Sequence, residues 1–309
     1  MSKYKTSYGL ALCRYNTFVK EANHCVEILS IKKRFTYYYF SFINGFYKRR
    51  TLRNDDICYV KYLFDNMTYQ EKLLILSLNY GTMWWYIWLN NPEKGINMFE
   101  KSEVCNRLPT DIICEQKTNL IQAVTDYTTY FKRKNKFEKK FLQDNGRRLH
   151  DIINNSKSSE SIWEIPKGAA DNGETHLDTS IREFTEETQI NSIYYNVLYH
   201  VDPIIIIYKD SGVIYRHIYY IAELNELGYN AHKIMKPKIN FKSYKQISEV
   251  ADMKWISTTY INTLNLQSKN KKNMLKLYNS VIKKFKKYKT LMPLFNNKDI
   301  RIGGTIKVH

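Results

Sequence analysis

The hydrophobic pattern at the N-terminus predicts two short strands joined as a hairpin. The run SYGLALCRYN is apolar over strand length, and VEILSIKKRF places Val26, Ile28 and Ile31 among polar residues. The turn between these runs lies at about residues 21–24. Two strands are too few to form a domain alone, so they need partners from elsewhere in the chain.

The pattern becomes helical from about residue 36. In MTYQEKLLILSL, Thr68 is followed three residues later by Glu71, which is the signature of a capping box at the start of a helix. A long helix with a basic second half is predicted for TNLIQAVTDYTTYFKRKNKFEKKFLQ, and a turn with a shorter helix for NGRRLHDIINNSK. No run between residues 36 and 155 has strong strand character.

Strand character returns with SIWEIPKG. The runs IIIIYK and VIYRHIYYIAEL flank Asp210, Ser211 and Gly212 and predict a hairpin, and EVADMKWIS predicts a further strand. The run NMLKLYNSVIKKFKKYK predicts an amphipathic helix, apolar on one side and lysine-rich on the other.

This order of strands, helices and strands predicts an α+β fold with an inserted domain. Residues 1–35 and 156–290 form one domain, residues 36–155 form a helical, basic domain inserted into it, and residues 291–309 form a C-terminal tail. An insertion explains the order better than two tandem domains.

Charge and cysteine usage narrow the function classes. The chain has 309 residues and a net charge of +18, whereas residues 161–264 are net acidic. This uneven distribution is typical of a protein that gathers a polyanion and acts on it at an acidic metal site. Five widely spaced cysteines favour reduced thiols in an intracellular protein, and the absence of a long apolar run excludes membrane insertion.

The acidic block contains a helix with three clustered glutamates. Glu183, Glu186 and Glu187 stand at i, i+3 and i+4 and therefore share a face, where like charges repel one another. Leu177, Ile181 and Phe184 are predicted to face the core. A bound cation would relieve the repulsion, and all-oxygen ligands suit Mg²⁺ or Mn²⁺. The alternative is a solvated acidic face.

The spacing around this helix resembles the Nudix box, GX5EX7REUXEEXGU, in which U is a bulky apolar residue. In residues 168–190, Gly168, Glu174 and the REFTEET run match the fixed positions, and Gln189 stands where the box has its last glycine. That position lies near the C-terminus of the helix, where glycine is favoured without being a metal ligand. The resemblance implies the Nudix α/β/α sandwich.

The resemblance also implies a ligand set. Glu186 and Glu187 would bind a divalent metal, Mg²⁺ or Mn²⁺, and the backbone carbonyl of Gly168 would complete the set. Glu183 would bind a second metal or act as the general base on the attacking water. Many members use another carboxylate from a distal loop, and Glu249 in SEVADMKWIS is our candidate.

Two alternatives stay open at the distal position. The first is that Glu249 is a surface glutamate with no ligand role, an interpretation that the sequence favours about equally. The second is that the ligand is one of three weaker candidates, Asp252, Glu223 or Glu226. The resemblance further implies that Arg182 holds a carboxylate, that of Glu183 or Glu174, by a bidentate pair. The predicted catalytic residues are therefore Glu183, Glu186 and Arg182.

A longer resemblance covers about residues 6–288. The runs SYGLALCRYN, KKRF, MTYQEKLLILSLNYGTMWWYIW, LQDNGRRL, WEIPKG and IREFTEET occur in the order found in the mRNA-decapping Nudix proteins of large DNA viruses. The resemblance implies cleavage of the triphosphate bridge of capped mRNA, with release of a methylated guanosine diphosphate (m7GDP) and 5′-monophosphate RNA. It also implies action in the cytoplasm of the infected host cell, with packaging in the virion left open.

Two other functions remain as alternatives. Members of that family also attack diphosphoinositol polyphosphates, so inositol pyrophosphates or another nucleoside-diphosphate-X substrate would serve the same chemistry. A non-catalytic RNA-binding protein on a Nudix fold is the alternative from a different class.

The inserted domain carries the candidate RNA contacts. Basic side chains bind phosphates, and interleaved aromatic rings either stack on bases or pack into the helical core, which is the commoner outcome. The aromatic residues are Tyr130, Phe131, Phe137 and Phe141, and Trp84, Trp85 and Trp88 are predicted to be core. The candidate RNA-binding residues are Lys132, Arg133, Lys134, Lys136, Lys139, Lys140, Arg147 and Arg148.

Overall fold

The computed structural model describes residues 4–16, 25–47, 56–77, 80–87, 120–210, 213–241, 243–264, 266 and 268–299. The described strands are β1 (Lys5–Asn16), β2 (Cys25–Lys33), β3 (Trp163–Glu164), β4 (Lys167–Gly168), β5 (Tyr195–Val197), β6 (Ile204–Asp210), β7 (Val213–Leu224) and β8 (Val250–Ile256). The described α-helices are α1 (Tyr37–Ile43), α2 (Asp56–Asp65), α3 (Tyr69–Ser77), α4 (Tyr80–Ile87), α5 (Leu120–Phe141), α6 (Arg147–Asn154), α7 (His176–Thr188), α8 (Glu226–Asn230), α9 (His232–Met235), α10 (Tyr244–Glu249), α11 (Thr258–Thr263) and α12 (Ser268–Asp299). None of the helices in these ranges is long and apolar enough to cross a membrane.

The described strands form one mixed sheet centred on β1. This strand pairs antiparallel with β2, through Cys13 opposite Ile28, and parallel with β7, through Tyr8 opposite Ile218. Strand β8 extends the sheet beyond β2, and β5 and β6 pair with β7. The hairpins predicted for β1–β2 and β6–β7 are both confirmed. The first two strands therefore complete a sheet whose other members come from the second half of the chain.

Helices cover both faces of this sheet. On one face, Ala11, Ile28 and Ile221 are buried against Tyr278 and Phe285 of α12. On the other face, Leu10, Leu12 and Leu224 are buried around Phe184 of α7. These two layers confirm the predicted α+β fold. Helix α12 continues to Asp299, past the residue 290 at which the sequence pattern places the start of a tail.

The helices between β2 and β3 have a hydrophobic core of their own. Trp84 and the predicted core aromatics Tyr130, Phe137 and Phe141 are buried in it, and Phe131 packs against it. The side chain of Trp85 and all of Trp88 lie outside the described residues. These four aromatic rings of α5 thus pack inward, because they lie on the side of the helix that rests on this core.

The helical segment leaves the sheet and returns to it at nearly the same place. It begins after β2, and β3 pairs with the end of β2 through Lys32 opposite Trp163. On this geometry and the separate core we propose that residues 36–155 form an inserted domain.

A capping box fixes the start of α3, as the sequence predicts. The Thr68 backbone N–H donates to Glu71 Oε2 at 2.8 Å, and the Glu71 N–H donates to Thr68 Oγ1 at 3.1 Å. The same buried carboxylate accepts hydrogen bonds from the backbone and hydroxyl of Thr36, which caps α1. Glu71 therefore joins the N-termini of two helices next to the point where the segment leaves the sheet.

Candidate active site

Helix α7 carries the glutamate cluster and packs one buried face against the sheet. Thr175 caps its N-terminus, and the buried face includes Ser180, Phe184 and Glu187. The prediction that Leu177 and Ile181 also face the core is wrong, because both are only partly buried. The helix is instead rotated so that the buried carboxylate of Glu187 points at the sheet.

Strand β4 brings Gly168 directly against the helix. A Cβ atom added to Gly168 would lie 2.0 Å from Cδ of Glu183, far inside van der Waals contact. Any larger residue would displace the carboxylate, so the contact explains why glycine stands at this position. The first glycine of the motif therefore brings the peptide of β4 and the side chain of Glu183 together.

Arg182 braces two carboxylates at once. Its Nε and Nη2 donate to the two carboxylate oxygens of Glu174 at 2.6 and 3.0 Å, and its Nη1 donates to Glu183 Oε1 at 2.9 Å. The hydrogen bonds from Arg182 hold the pKa of Glu174 at about 2. Burial raises the pKa of Glu183 above its ordinary value, although Arg182 opposes that shift. Glu183 is thus the partly buried, fixed carboxylate of the pair.

Four glutamates converge on one small cavity. The cavity has a volume of about 120 Å³ and is lined by Glu183, Glu186, Glu187, Glu249 and Lys245. Glu249 is the last residue of α10, so the segment that follows β7 delivers it to the face of α7. The structure therefore places the predicted distal candidate beside the three helix glutamates.

The weaker distal candidates lie elsewhere. Glu223 accepts a hydrogen bond from Lys289 at 2.6 Å, and Asp252 is 3.8 Å from the ammonium of Lys254. Glu226 lies in the first turn of α8 and is exposed. None of these three carboxylates lines the cavity.

Sequence reasoning missed Lys33, whose ammonium lies among the site carboxylates. Its Nζ is 2.7 Å from Glu187 Oε1, 3.1 Å from Glu249 Oε2 and 3.4 Å from Glu164 Oε1. Burial alone would lower the pKa of Lys33, but Glu187 and Glu164 hold it well above its ordinary value. Burial raises the pKa of Glu187 to about 7 against the opposing effect of Lys33. The only feature of the sequence that could have indicated Lys33 as a site residue was its position at the end of a predicted strand.

The chemistry of the donors fits a hard divalent cation. The cavity offers carboxylate oxygens and the neighbouring peptide of Gly168, which suit Mg²⁺ or Mn²⁺ better than zinc. Across the described part of the chain, however, no three histidine, cysteine or acidic side chains form a group that could hold an ion as they stand. The ammonium groups of Lys33 and Lys245 lie among the carboxylates instead. The donor set therefore fits the ion, but some side chains must move apart from their lysine partners to bind it.

The candidate RNA-binding residues divide into two groups. Arg133 donates to the side chain of Asn44 and lies over the ring of Trp84, and Lys136 donates to the carbonyl of Gly45 at 2.6 Å. These contacts hold the helical core together. Among the remaining candidates, Lys132, Lys139 and Arg147 are exposed, and Lys134, Lys140 and Arg148 are partly buried.

A second feature that sequence reasoning missed is an aromatic cluster on the β6–β7 hairpin. The rings of Tyr208 and Tyr215 are stacked at a centroid distance of 5.2 Å, and the Tyr208 hydroxyl is 2.9 Å from His217 Nε2. The cluster is coupled electrostatically to the pair formed by Lys167 Nζ and Glu164 Oε2, which are 2.8 Å apart. Glu164 in turn contacts Lys33, which pairs with Glu187 and Glu249 of the glutamate cavity.

Gln189 ends α7 in a left-handed conformation, with φ of 58°. Gln189→Gly should stabilise the protein by about 0.5–1 kcal/mol, because glycine adopts this conformation without strain. The gain is reduced by the loss of the hydrogen bond from Gln189 Nε2 to the Glu186 carbonyl at 3.0 Å. Gln189→Val should lose at least about 1 kcal/mol, since β-branched residues resist positive φ. Chemical denaturation measures both, and a glycine variant less stable than wild type would show that the side-chain hydrogen bond outweighs the strain.

Comparison with known proteins identifies close relatives. The chain is 30% identical over 290 residues to the mRNA-decapping protein g5R of African swine fever virus, strain Badajoz 1971 Vero-adapted, with 92% of this chain and 97% of that protein covered. It is 31% identical over 255 residues to g5R of the Warthog/Namibia isolate, with 81% and 84% covered. A crystal structure of an Ap4A hydrolase from C. elegans is 20% identical, with a TM-score of 0.29 and coverage of 41% of this chain and 77% of that one. No family model matches the chain.

Proposed function

Because the chain belongs to the viral mRNA-decapping family of Nudix hydrolases, we propose that it cleaves the triphosphate bridge of capped mRNA. The products are m7GDP and 5′-monophosphate RNA. The observation that carries this proposal is the convergence of four glutamates on one cavity, three of them from α7 and Glu249 from α10. We further propose that the enzyme acts in the cytoplasm of the infected host cell, where capped transcripts are found.

The residues at the cavity have two proposed roles: some bind the metal ion, and one accepts a proton from the attacking water. We propose that the carbonyl of Gly168 and the carboxylates of Glu186, Glu187 and Glu249 hold Mg²⁺ or Mn²⁺, which when bound neutralises charge on the triphosphate and acidifies water. Glu183 is the candidate general base. Its raised pKa lies nearer to the working pH than that of an ordinary glutamate, and this improves proton acceptance from the attacking water.

Arg182 positions that base. Its three hydrogen bonds to Glu174 and Glu183 keep the Glu183 carboxylate beside Gly168. Water attacks a phosphorus of the bridge, Glu183 takes the water proton, and the bond from that phosphorus to the RNA phosphate breaks. RNA leaves with its 5′-monophosphate and m7GDP retains the oxygen derived from water.

A paired assay tests the proposal. RNA labelled in the cap phosphates is incubated with the protein over a series of Mg²⁺ and Mn²⁺ concentrations, and a diphosphoinositol polyphosphate is tested in parallel. Release of labelled m7GDP is expected. Failure to release it at every metal concentration, with turnover of the inositol pyrophosphate alone, would make the small-molecule alternative the function. RNA binding without turnover of either substrate would favour the non-catalytic alternative.

The aromatic cluster offers a surface for the cap base. A methylated guanine is cationic and binds aromatic rings by stacking and cation–π attraction. Tyr208 is partly exposed and already stacks on Tyr215. We therefore expect Tyr208→Ala to weaken binding of m7GDP about tenfold, in line with about 1–3 kcal/mol per stacked base.

Fluorescence titration with m7GDP measures this effect. Tyr208→Phe keeps the ring and should bind within about threefold of wild type. Tyr199→Ala removes another exposed tyrosine, outside the cluster, and serves as the matched control. Equal losses in the Tyr208→Ala and Tyr199→Ala variants would contradict the assignment.

A further inference from the structure

Lys33 is held by the main chain at the end of β2. Its N–H donates to the carbonyl of Ile162 at 3.0 Å, and the pairing of β2 with β8 shifts register between Lys32 and Lys33. The irregularity ends the regular ladder at the residue whose side chain enters the acidic site. With 12% of the side chain exposed, the ammonium is largely shielded from solvent.

The three carboxylates around this ammonium come from three separate elements. Glu187 comes from α7, Glu249 from α10 and Glu164 from β3. The contacts to Glu187 and Glu249 join residues that are 154 and 216 positions apart in sequence. One ammonium thus ties together segments that would otherwise present mutually repelling charges.

Lys33 does not line the cavity, although Glu187 and Glu249 do. The ammonium therefore acts on the cavity through these two carboxylates. Glu187 is fixed on its other oxygen as well, because Oε2 accepts the backbone N–H of Lys167 at 2.9 Å. A residue in this position orients the carboxylates and at the same time cancels part of their charge.

We propose that Lys33 is a positioning residue that acts as the built-in counter-ion of the cavity. It holds Glu187 and Glu249 in place without an ion and lowers the affinity of the site for a divalent cation. This inference rests on the proposed function, since it takes the cavity to be the cation site. A merely structural lysine would stabilise the fold without opposing cation binding.

The distinguishing measurement is Mn²⁺ affinity, obtained by electron paramagnetic resonance of free Mn²⁺. Lys33→Met should tighten Mn²⁺ binding at least about tenfold, because it removes a positive charge several ångströms from the ion, and that repulsion is worth about tenfold even at the dielectric of water. Turnover of capped RNA at saturating Mn²⁺ should fall at least about tenfold, because the carboxylates lose their anchor. Unchanged or weaker Mn²⁺ binding by the folded variant would overturn the proposal.

Two further variants separate charge from structure. Lys33→Arg keeps the positive charge and should bind Mn²⁺ with near wild-type affinity. Lys33→Gln removes the charge but keeps hydrogen-bond donors toward the carboxylates, so it should also tighten Mn²⁺ binding. It replaces Lys33→Met in the affinity measurement if Lys33→Met does not fold. Lys245→Met is the matched control: Lys245 donates to Glu186 at 2.6 Å, but its side chain is 66% exposed, so screening should limit the change in affinity to about threefold.

Failure of this inference is distinguishable from failure of the proposed function. Glu186→Gln should weaken Mn²⁺ binding if the cavity is the cation site. If wild type and Glu186→Gln bind Mn²⁺ equally, the assignment of the cation site to this cavity is wrong. If Glu186→Gln weakens binding and neither Lys33→Met nor Lys33→Gln tightens it, the role of Lys33 alone is wrong.

Discussion

Glu186→Gln is expected to reduce cap hydrolysis by about a thousandfold while leaving the fold and RNA binding intact. Loss of one charged ligand removes several kcal/mol of transition-state stabilisation, and about 4 kcal/mol corresponds to three powers of ten in rate. The Glu186 side chain is 28% exposed, and its nearest cationic partner, Lys245, is open to solvent. Glutamine has the same shape, so the change leaves no buried ammonium unpaired. Single-turnover release of labelled m7GDP measures the rate.

Glu186 tests the chemistry more cleanly than Glu187. Glu187 is buried between the Lys33 ammonium and the Lys167 N–H, so Glu187→Gln removes a structural contact as well as a ligand. Asp178→Asn is the matched control, since it removes the same charge from an exposed position on the same helix. The control should retain turnover within about twofold. A Glu186→Gln enzyme within tenfold of wild type would exclude Glu186 from the reaction.

Local spacing was enough to predict much of this site. Gly168 and Glu174 were identified through the spacing of the Nudix box that the sequence resembles, whereas the shared face of the three helix glutamates follows from the period of one helix. The same holds for the capping box of Thr68 and Glu71, whose partners are three residues apart. Such contacts depend on backbone geometry that a single segment determines.

Lys33 and Glu249 show where this reasoning ends. Their side chains meet because β2 pairs with β8, and Glu249 ends α10 directly before β8. The pairing of β2 with β8 joins segments far apart in sequence, so no local pattern encodes it. Glu249 was a candidate only because a carboxylate of the right type preceded a predicted strand. The wrong assignment of Leu177 and Ile181 to the core has a similar cause: periodicity identifies an apolar stripe but not the rotation at which Phe184 and the paired, buried Glu187 settle on the sheet.

The triple variant Lys132→Ser/Lys139→Ser/Arg147→Ser should weaken binding of capped RNA without slowing hydrolysis of a short cap dinucleotide. These side chains are exposed members of the predicted RNA-binding set. Arg133 and Lys136 are left in place because they donate to Asn44 and Gly45, and their removal would disturb the helical core. The variant therefore changes charge on the surface of the proposed inserted domain with little change in packing.

The expected size of the effect follows from counter-ion release. Each phosphate contact to single-stranded nucleic acid contributes about 0.7 to the slope of log affinity against log salt concentration, so three lost contacts should reduce the slope by about 2. RNA affinity at physiological salt should fall at least about tenfold, measured by fluorescence anisotropy over a salt series. The matched control, Lys233→Ser/Lys236→Ser/Lys238→Ser, removes three exposed lysines outside residues 36–155, between β7 and α10. If both triple variants lose affinity equally, net charge alone attracts RNA, and the inserted domain has no special part in holding it. A reduced slope only in the first variant, with dinucleotide turnover retained, is the result expected if the inserted domain holds the RNA body while the glutamate cavity cleaves the cap.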